Sequence, residues 1–319
     1  MARIVCLECN KECRDDTQLH RHLKAHRMSQ GNYYSKHYPR YDRLDGTPIV
    51  FRNREWYFTT DFNSRANLKD WLDRVDKEEA KDYVRGLLLA RKDRKNLVYS
   101  PSQVELRSLP IPGMHYMNRL FGDYYAECAR LGFKNRFDRV GFSGAWKKLA
   151  DSHRIIVDTR EQLPLVFDEY KTVHEPLMFG DYKLNDDAFT HNCCIERKSI
   201  GDLYSTLTNG IARFRAELQR ATDAGFNLIV LIEEPFETMY ELSRRLKRLD
   251  IVISPEYVFH NIRMFSQEFP FVQFLFVADR NESSEVIIKL FQSDGQFKHI
   301  DLQYAYDTLN LCGTSRPNT

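Results

Sequence analysis

Four side chains near the start of the chain restrict its local fold more tightly than any other feature. Cys6 and Cys9 are separated by two residues, twelve more lead to His22 and three more to His26. The spacing C-x2-C-x12-H-x3-H suits one geometry: a short turn offers two thiolates, and a helix offers two imidazoles one turn apart on one face, closing a tetrahedral shell around zinc. Asp15 or Asp16 can cap that helix, and Gln18 to His26 contains neither Pro nor Gly. Leu19 and Ile4 fall where a minimal apolar core is needed, and Cys13 stands where an aromatic would otherwise fill it. So small a unit cannot fold on apolar burial alone, so zinc is expected to supply the missing free energy.

Residues 1–30 therefore resemble a Cys/Cys/His/His zinc finger, with Cys6, Cys9, His22 and His26 as zinc ligands. A single finger contacts about three base pairs, so reading DNA and a purely structural role both stay open. Seven cysteines, an odd number, and an N-terminus without the apolar core of an export signal argue against a disulfide framework. Adjacent Cys193 and Cys194 are expected to pack in a strand. No apolar run of about 18 residues exists, so no membrane span is expected, and the expected location is the cytoplasm, or the host cell's if the chain is viral.

The net charge of +2 hides an asymmetry. Residues 1–150 carry 29 Lys+Arg against 19 Asp+Glu, a balance of +10, and residues 151–319 carry 18 against 26, a balance of −8. A basic first half suits a polyanion such as DNA, whereas an acidic second half suits cations or is a solvated surface. Residues 31–98 form an aromatic and helical basic linker region. Its tyrosines 33, 34, 38 and 41, set among Lys, His and Arg, suit either stacking on nucleic acid or packing on a neighbouring domain. Spacing predicts helices within 61–72, through Leu68, Trp71 and Leu72, and over 78–92, with Tyr83, Leu87 and Ala90 on one face. The cluster Arg91-Lys92-Asp93-Arg94-Lys95 suits a helix C-terminus or phosphates. Residues 99–150 contain Pro101-Ser102-Gln103, Phe121-Gly122-Asp123-Tyr124 and Leu131-Gly132-Phe133. About 35 residues here resemble the helical repeat found beside the nuclease domains of homing endonucleases, which implies a DNA-contacting unit, or else a spacer.

Residues 151–319 carry the chemistry. Ile155-Ile156-Val157 reads as a buried strand leading into Asp158-Thr159-Arg160-Glu161. A hairpin is expected from Met178–Leu184, through a polar turn, to Cys193–Lys198. The period of two then projects Glu196 and Lys198 to one side and Arg197 to the other. Asp181 and Glu196 on adjacent strands suit a hard divalent cation, most naturally Mg2+, with Lys198 placed to orient water and neutralise developing charge. The runs Gly180-Asp181, Glu196-Arg197-Lys198 and Asp202 resemble the XPF-type nuclease signature GDx(n)ERKx(3)D, and Val157-Asp158-Thr159-Arg160-Glu161 resembles that family's leading strand. The resemblance implies a restriction-endonuclease-like α/β fold and Mg2+- or Mn2+-dependent hydrolysis of structured DNA. It also implies metal carboxylates at Asp158, Asp181 and Glu196, a catalytic Lys198, and supporting Arg160, Arg197 and Asp202. No helix-hairpin-helix pattern follows residue 295, so DNA binding is expected from the finger and the basic middle region. The expected function is a metal-dependent DNA endonuclease of phage-like, homing or structure-specific repair or recombination type, acting on DNA alone or as a homodimer. The alternative is a non-catalytic DNA-binding protein with a decayed nuclease fold.

Overall fold

The computed structural model describes residues 4–139, 141–144, 146–239, 241–242, 254–309 and 311, so Cys312 lies outside the described residues. The chain divides into two compact units, residues 1–84 with 110–112, and residues 85–109 with 113–319. No described helix is long and apolar enough to cross a membrane.

In the first unit β1 (Ile4–Val5) pairs antiparallel with β2 (Glu12–Cys13), and α1 (Asp16–His22) continues into a 3-10 turn over Leu23–His26. Asp15 is the cap: its carboxylate accepts from Gln18 N–H at 2.8 Å. The small core expected to suffer from Cys13 is completed from outside the finger. Cys13, Leu19 and Leu23 are buried with Ile49, with Tyr57 of α3 (Arg54–Thr59), and with Tyr33 and Tyr34 of α2 (Gln30–His37). The Tyr33 hydroxyl accepts from Leu7 N–H, and the Tyr34 hydroxyl meets His20 Nε2, both at 2.9 Å. The aromatic run thus splits: Tyr33 and Tyr34 are packed, while Tyr38 and Tyr41 remain 41% and 60% exposed.

Ser64 caps α4 (Arg65–Arg74), which buries Leu68, Trp71 and Leu72 as its spacing predicts. In α5 (Lys77–Lys95) the buried stripe is Ala80, Val84 and Leu88, not Tyr83, Leu87 and Ala90. Those three recur every four residues, and Tyr83 instead edges Trp71 and donates its hydroxyl to Asp61 at 3.0 Å.

In the second unit α6 (Gln103–Arg107), α7 (Met114–Phe121) and α8 (Tyr124–Arg130) precede the sheet. Gly122, at φ +85°, separates α7 from α8, and Asp123 caps α8. Lys92 donates to the carbonyls of Leu131 and Gly132 at 2.9 and 2.7 Å, placing a cation at the C-terminal end of α8. The segment is tied into the unit by polar groups. Glu105 and Arg136 form a buried ion pair at 2.6 Å, Gln103 N–H donates to Asp301 at 2.6 Å, and the Tyr125 hydroxyl donates to Asp301 at 3.2 Å.

The sheet runs in the order β4 (Thr172–Glu175), β3 (Ile155–Asp158), β5 (Tyr182–Leu184), β6 (Cys193–Lys198), β7 (Asn227–Ile232), β8 (Val272–Phe276). Strand β5 pairs antiparallel with both β3 and β6, whereas β4 is parallel to β3, and β6, β7 and β8 are parallel. The β5–β6 connection carries a helical turn, α9 (Asp187–Thr190), capped by Asp186, instead of a plain polar turn. Alternation along β7 shows why this strand is a continuous apolar run. Leu228, Val230 and Ile232 join Phe214 and Leu218 of α11 (Ile211–Asp223), Leu203 of α10 (Ile200–Thr206), and Phe259, Ile262 and Phe265 of α12 (Pro255–Glu268). Ile229 and Leu231 join Val286, Ile287 and Leu290 of α13 (Arg280–Gln292) and Leu302 of α14 (Leu302–Leu309). Both sheet faces are covered, and each such side chain contributes about 1.5–3 kcal/mol of burial. Cys194 faces the first cluster and Cys193 the second, as strand packing requires. This is a mixed α/β, restriction-endonuclease-like architecture.

Candidate active site and candidate zinc site

The acidic residues meet where β3, β5 and β6 end. Gly180 has φ +69°, and a Cβ there would lie 2.7 Å from the Ile195 carbonyl oxygen, so only glycine lets the chain approach β6 this closely. The turn delivers Asp181 onto the sheet: its N–H donates to Ile195 O at 2.7 Å, and its carbonyl accepts from Asp158 N–H at 2.9 Å. Asp181 Oδ2 accepts from Arg197 N–H at 2.7 Å. Across the β5–β6 pair Glu196 lies beside it, and Lys198 Nζ donates to Glu196 Oε1 at 2.7 Å. Burial and the neighbouring Glu196 carboxylate push the Asp181 carboxyl up to about 7. Two half-buried carboxylates crowded in this way form an oxygen donor set suited to a hard divalent cation.

Glu196 and Lys198 share one side of β6, as the strand period predicts. Arg197 points the other way, pairing with Glu161 at 2.8 Å and with Glu233, and donating to Leu163 O at 3.1 Å. Those pairs clamp the strand whose backbone holds Asp181. Glu161 and Glu233 had no role in the sequence reading. Glu161 lay within the leading-strand motif, but Glu233 had no local signal beyond following an apolar strand.

Asp158 sits differently from the other two acids. Its side chain is 1% exposed, and its oxygens accept four N–H groups: Arg160 N at 2.7 Å, Nε at 2.8 Å and Nη2 at 2.7 Å, and Leu177 N at 2.9 Å. The Arg160 guanidinium holds its carboxyl down at about 2. Arg160 curls back on Asp158 from a turn, yet keeps its side chain 74% exposed beside the acids. Asp202 is exposed on α10, where it exchanges hydrogen bonds with Ser199, the cap: Ser199 Oγ donates to its carboxylate at 2.7 Å and accepts from its N–H at 3.1 Å.

A further carboxylate faces this site. Glu217 of α11 is half-buried, and burial, then the charge of Glu196, push its carboxyl up, while Lys198, Arg220 and Arg160 pull it down. It follows Phe214 by three residues, and Lys198 Nζ lies 5.5 Å from the centre of the Phe214 ring. The apolar stripe of α11 concealed it in the sequence.

At the other site, Cys6, Cys9, His22 and His26 offer ligand atoms all within 4.8 Å of one another. Cys6 Sγ lies 3.6 Å from His26 Nε2, Cys9 Sγ 3.2 Å from His22 Nε2, and the two Nε2 atoms are 3.1 Å apart. A tetrahedral zinc with bonds of about 2.0–2.3 Å has edges of about 3.3–3.8 Å, within a few tenths of an ångström of these separations, so the donor set is of a size to hold that ion. Cys13 is buried in the packing beneath it.

Residues 157–290 match the family described as the ERCC4 domain, a nuclease family. Two solved structures are similar. XPF from Aeropyrum pernix is 19% identical over 43% of this chain and 64% of that one, with a TM-score of 0.33. XPF from Aeropyrum pernix in complex with DNA is 19% identical over 44% and 62%, with a TM-score of 0.32. This chain thus spans less than two thirds of those chains. Comparison with characterised proteins gives no match.

Proposed function

We propose that residues 151–319 hydrolyse phosphodiester bonds in DNA as a cation-dependent endonuclease, with Mg2+ or Mn2+ held by Asp181 and Glu196. The observation that carries this reading is the crowding of those two carboxylates beside Lys198, which is 2.7 Å from Glu196, at the end of a sheet buried on both faces. A cation there would supply Lewis-acid activation of the phosphate and of the attacking water.

The chain's own groups supply the rest. Lys198 neutralises charge growing on the phosphorus oxygens. Arg160, fixed by Asp158 but largely exposed, offers its guanidinium to a phosphate of the bound strand. Arg197, clamped by Glu161 and Glu233, holds Asp181 in register through its N–H. Asp158 serves through Arg160, and Asp202 by holding Ser199, the cap of the helix that follows the catalytic strand. DNA is held additionally by the basic half, with the zinc-bound finger as one contact. Branched or flap substrates, as in repair or recombination, and a homing target share this chemistry.

The test is cleavage of a panel of duplex, flap, fork and single-stranded DNAs in Mg2+ and in EDTA, with Glu196→Ala alongside. Cleavage is expected on at least one substrate, lost in EDTA and reduced at least ~10^3-fold in the variant. Equal behaviour of wild type and variant on every substrate would sink the proposal.

A further inference from the structure

A divalent cation on Glu196 would weaken the hold that Lys198 has there in the structure. The Lys198 ammonium is bonded to Glu196 Oε1 at 2.7 Å, and Glu196 is one of the two carboxylates proposed to hold the divalent cation. Once a 2+ charge takes Glu196, the lysine loses most of that attraction and faces like charge at short range. A flexible four-carbon side chain without an anion would swing towards solvent. Something must hold it.

Among the described carboxylates around the site, Glu217 is left for this task. Beneath the ammonium is the Phe214 ring, whose centre is 5.5 Å away. Residues three apart on a helix are neighbours, with Cβ atoms about 5–6 Å apart, so Glu217 stands beside that ring. Asp158 is saturated by Arg160 and Leu177. Glu161 and Glu233 are paired with Arg197 on the opposite side of β6. Asp202 exchanges its hydrogen bonds with Ser199. Glu217 has no hydrogen-bond or ion-pair partner among the described residues, although it is half-buried and lies within the fields of both Glu196 and Lys198.

We infer that Glu217 is a positioning residue that takes over the Lys198 ammonium when a divalent cation occupies Glu196. The lysine then remains charged and aimed at the phosphate throughout turnover. The role of Glu217 rests on the cation reading for its purpose, but the handover itself is testable without any metal.

The probe is acylation of Lys198 by an N-hydroxysuccinimide ester, quantified by mass spectrometry on the full chain. In EDTA, wild type and Glu217→Gln are expected to label alike, because Glu196 holds the lysine in both. In Mg2+, Glu217→Gln is expected to label about tenfold faster than wild type, with Glu217→Asp between them. In the metal-free arm, Glu196→Ala is expected to label near the wild-type rate and Glu196→Ala/Glu217→Gln about tenfold faster. Equal rates for the single and double variants overturn the handover. A rate increase in Glu217→Gln that is the same with and without Mg2+ also overturns it, since that reports general loosening. Calorimetric titration with Mn2+ separates the two ideas: no binding to wild type defeats the cation reading, whatever the EDTA arm shows.

Discussion

The two candidate metal centres are built on opposite plans. The four ligands of the first lie within 21 residues, three pairs of their donor atoms stand 3.1–3.6 Å apart, and beneath them is a small core shared with α2 and α3. The two acids of the second, Asp181 and Glu196, stand just before β5 and on β6, in a sheet with apolar clusters on both faces. Its excess charge is already balanced in part by Lys198 and fixed by Arg197. On the proposed reading, an ion at the first would be part of the fold, whereas at the second the fold would exist first and an ion would bind into it.

Removing zinc should have the largest effect. Structural zinc in fingers is worth about 10–16 kcal/mol in apparent binding free energy, so a strong chelator or Cys9→Ser should unfold residues 4–26. Because Tyr33 and Tyr34 share that core, α2 should loosen with them. Hydrogen exchange resolved by peptide is expected to show lost protection there and none in β5–β8. Unchanged exchange at Leu19 and Tyr33 after complete zinc removal would break the distinction. The converse test is Asp181→Asn. Asparagine can still accept from Arg197 N–H and relieves the repulsion from Glu196. Nuclease activity should fall by at least ~10^3-fold, whereas metal-free stability should stay within about 1 kcal/mol or rise. A collapse of the fold would show that this site too is structural.

The contrast also explains what was legible in the sequence. Zinc ligands repeat at helical and turn spacings, so four positions and a few apolar neighbours are enough to read them. The Glu196 and Lys198 side of β6 follows from the two-residue strand period, and the apolar run of β7 follows from burial on both faces. Partners of those residues do not obey any local period. Glu161 lies 36 residues before Arg197 and Glu233 lies 36 residues after it, brought together by sheet order. Glu217 is hidden by the apolar stripe on its own helix. Asp158 carries the motif of a metal acid, but the turn that folds Arg160 over it is a matter of three-dimensional closure. Likewise, the repeat-like motif in 99–135 says nothing of Glu105 meeting Arg136, or of Gln103 and Tyr125 meeting Asp301.

Asp301 provides the finest test, because mild acid should move the two regions in opposite directions. Zinc ligands must be deprotonated, so the finger loses affinity for its ion as pH falls. Asp301 is buried, and that burial pushes its carboxyl up to about 6 from 3.8, despite hydrogen bonds from Gln103 N–H, Tyr304 N–H and the Tyr125 hydroxyl. A raised folded pKa means that the native state binds the proton more tightly than the unfolded chain. Its contribution is therefore fully present below about 3.8 and is lost as pH rises through about 6. The full shift corresponds to at most about 3 kcal/mol at 1.36 kcal/mol per unit, and local relaxation should reduce the observed effect to about 1–2 kcal/mol. Between pH 7 and 5, hydrogen-exchange protection in α14 is thus expected to rise after correction for intrinsic exchange, while protection in α1 falls. Asp301→Asn should flatten the first trend and leave the second untouched. If the variant keeps the wild-type slope in α14, the acid response of the sheet unit arises elsewhere, and the opposition between the two regions must be traced to other groups.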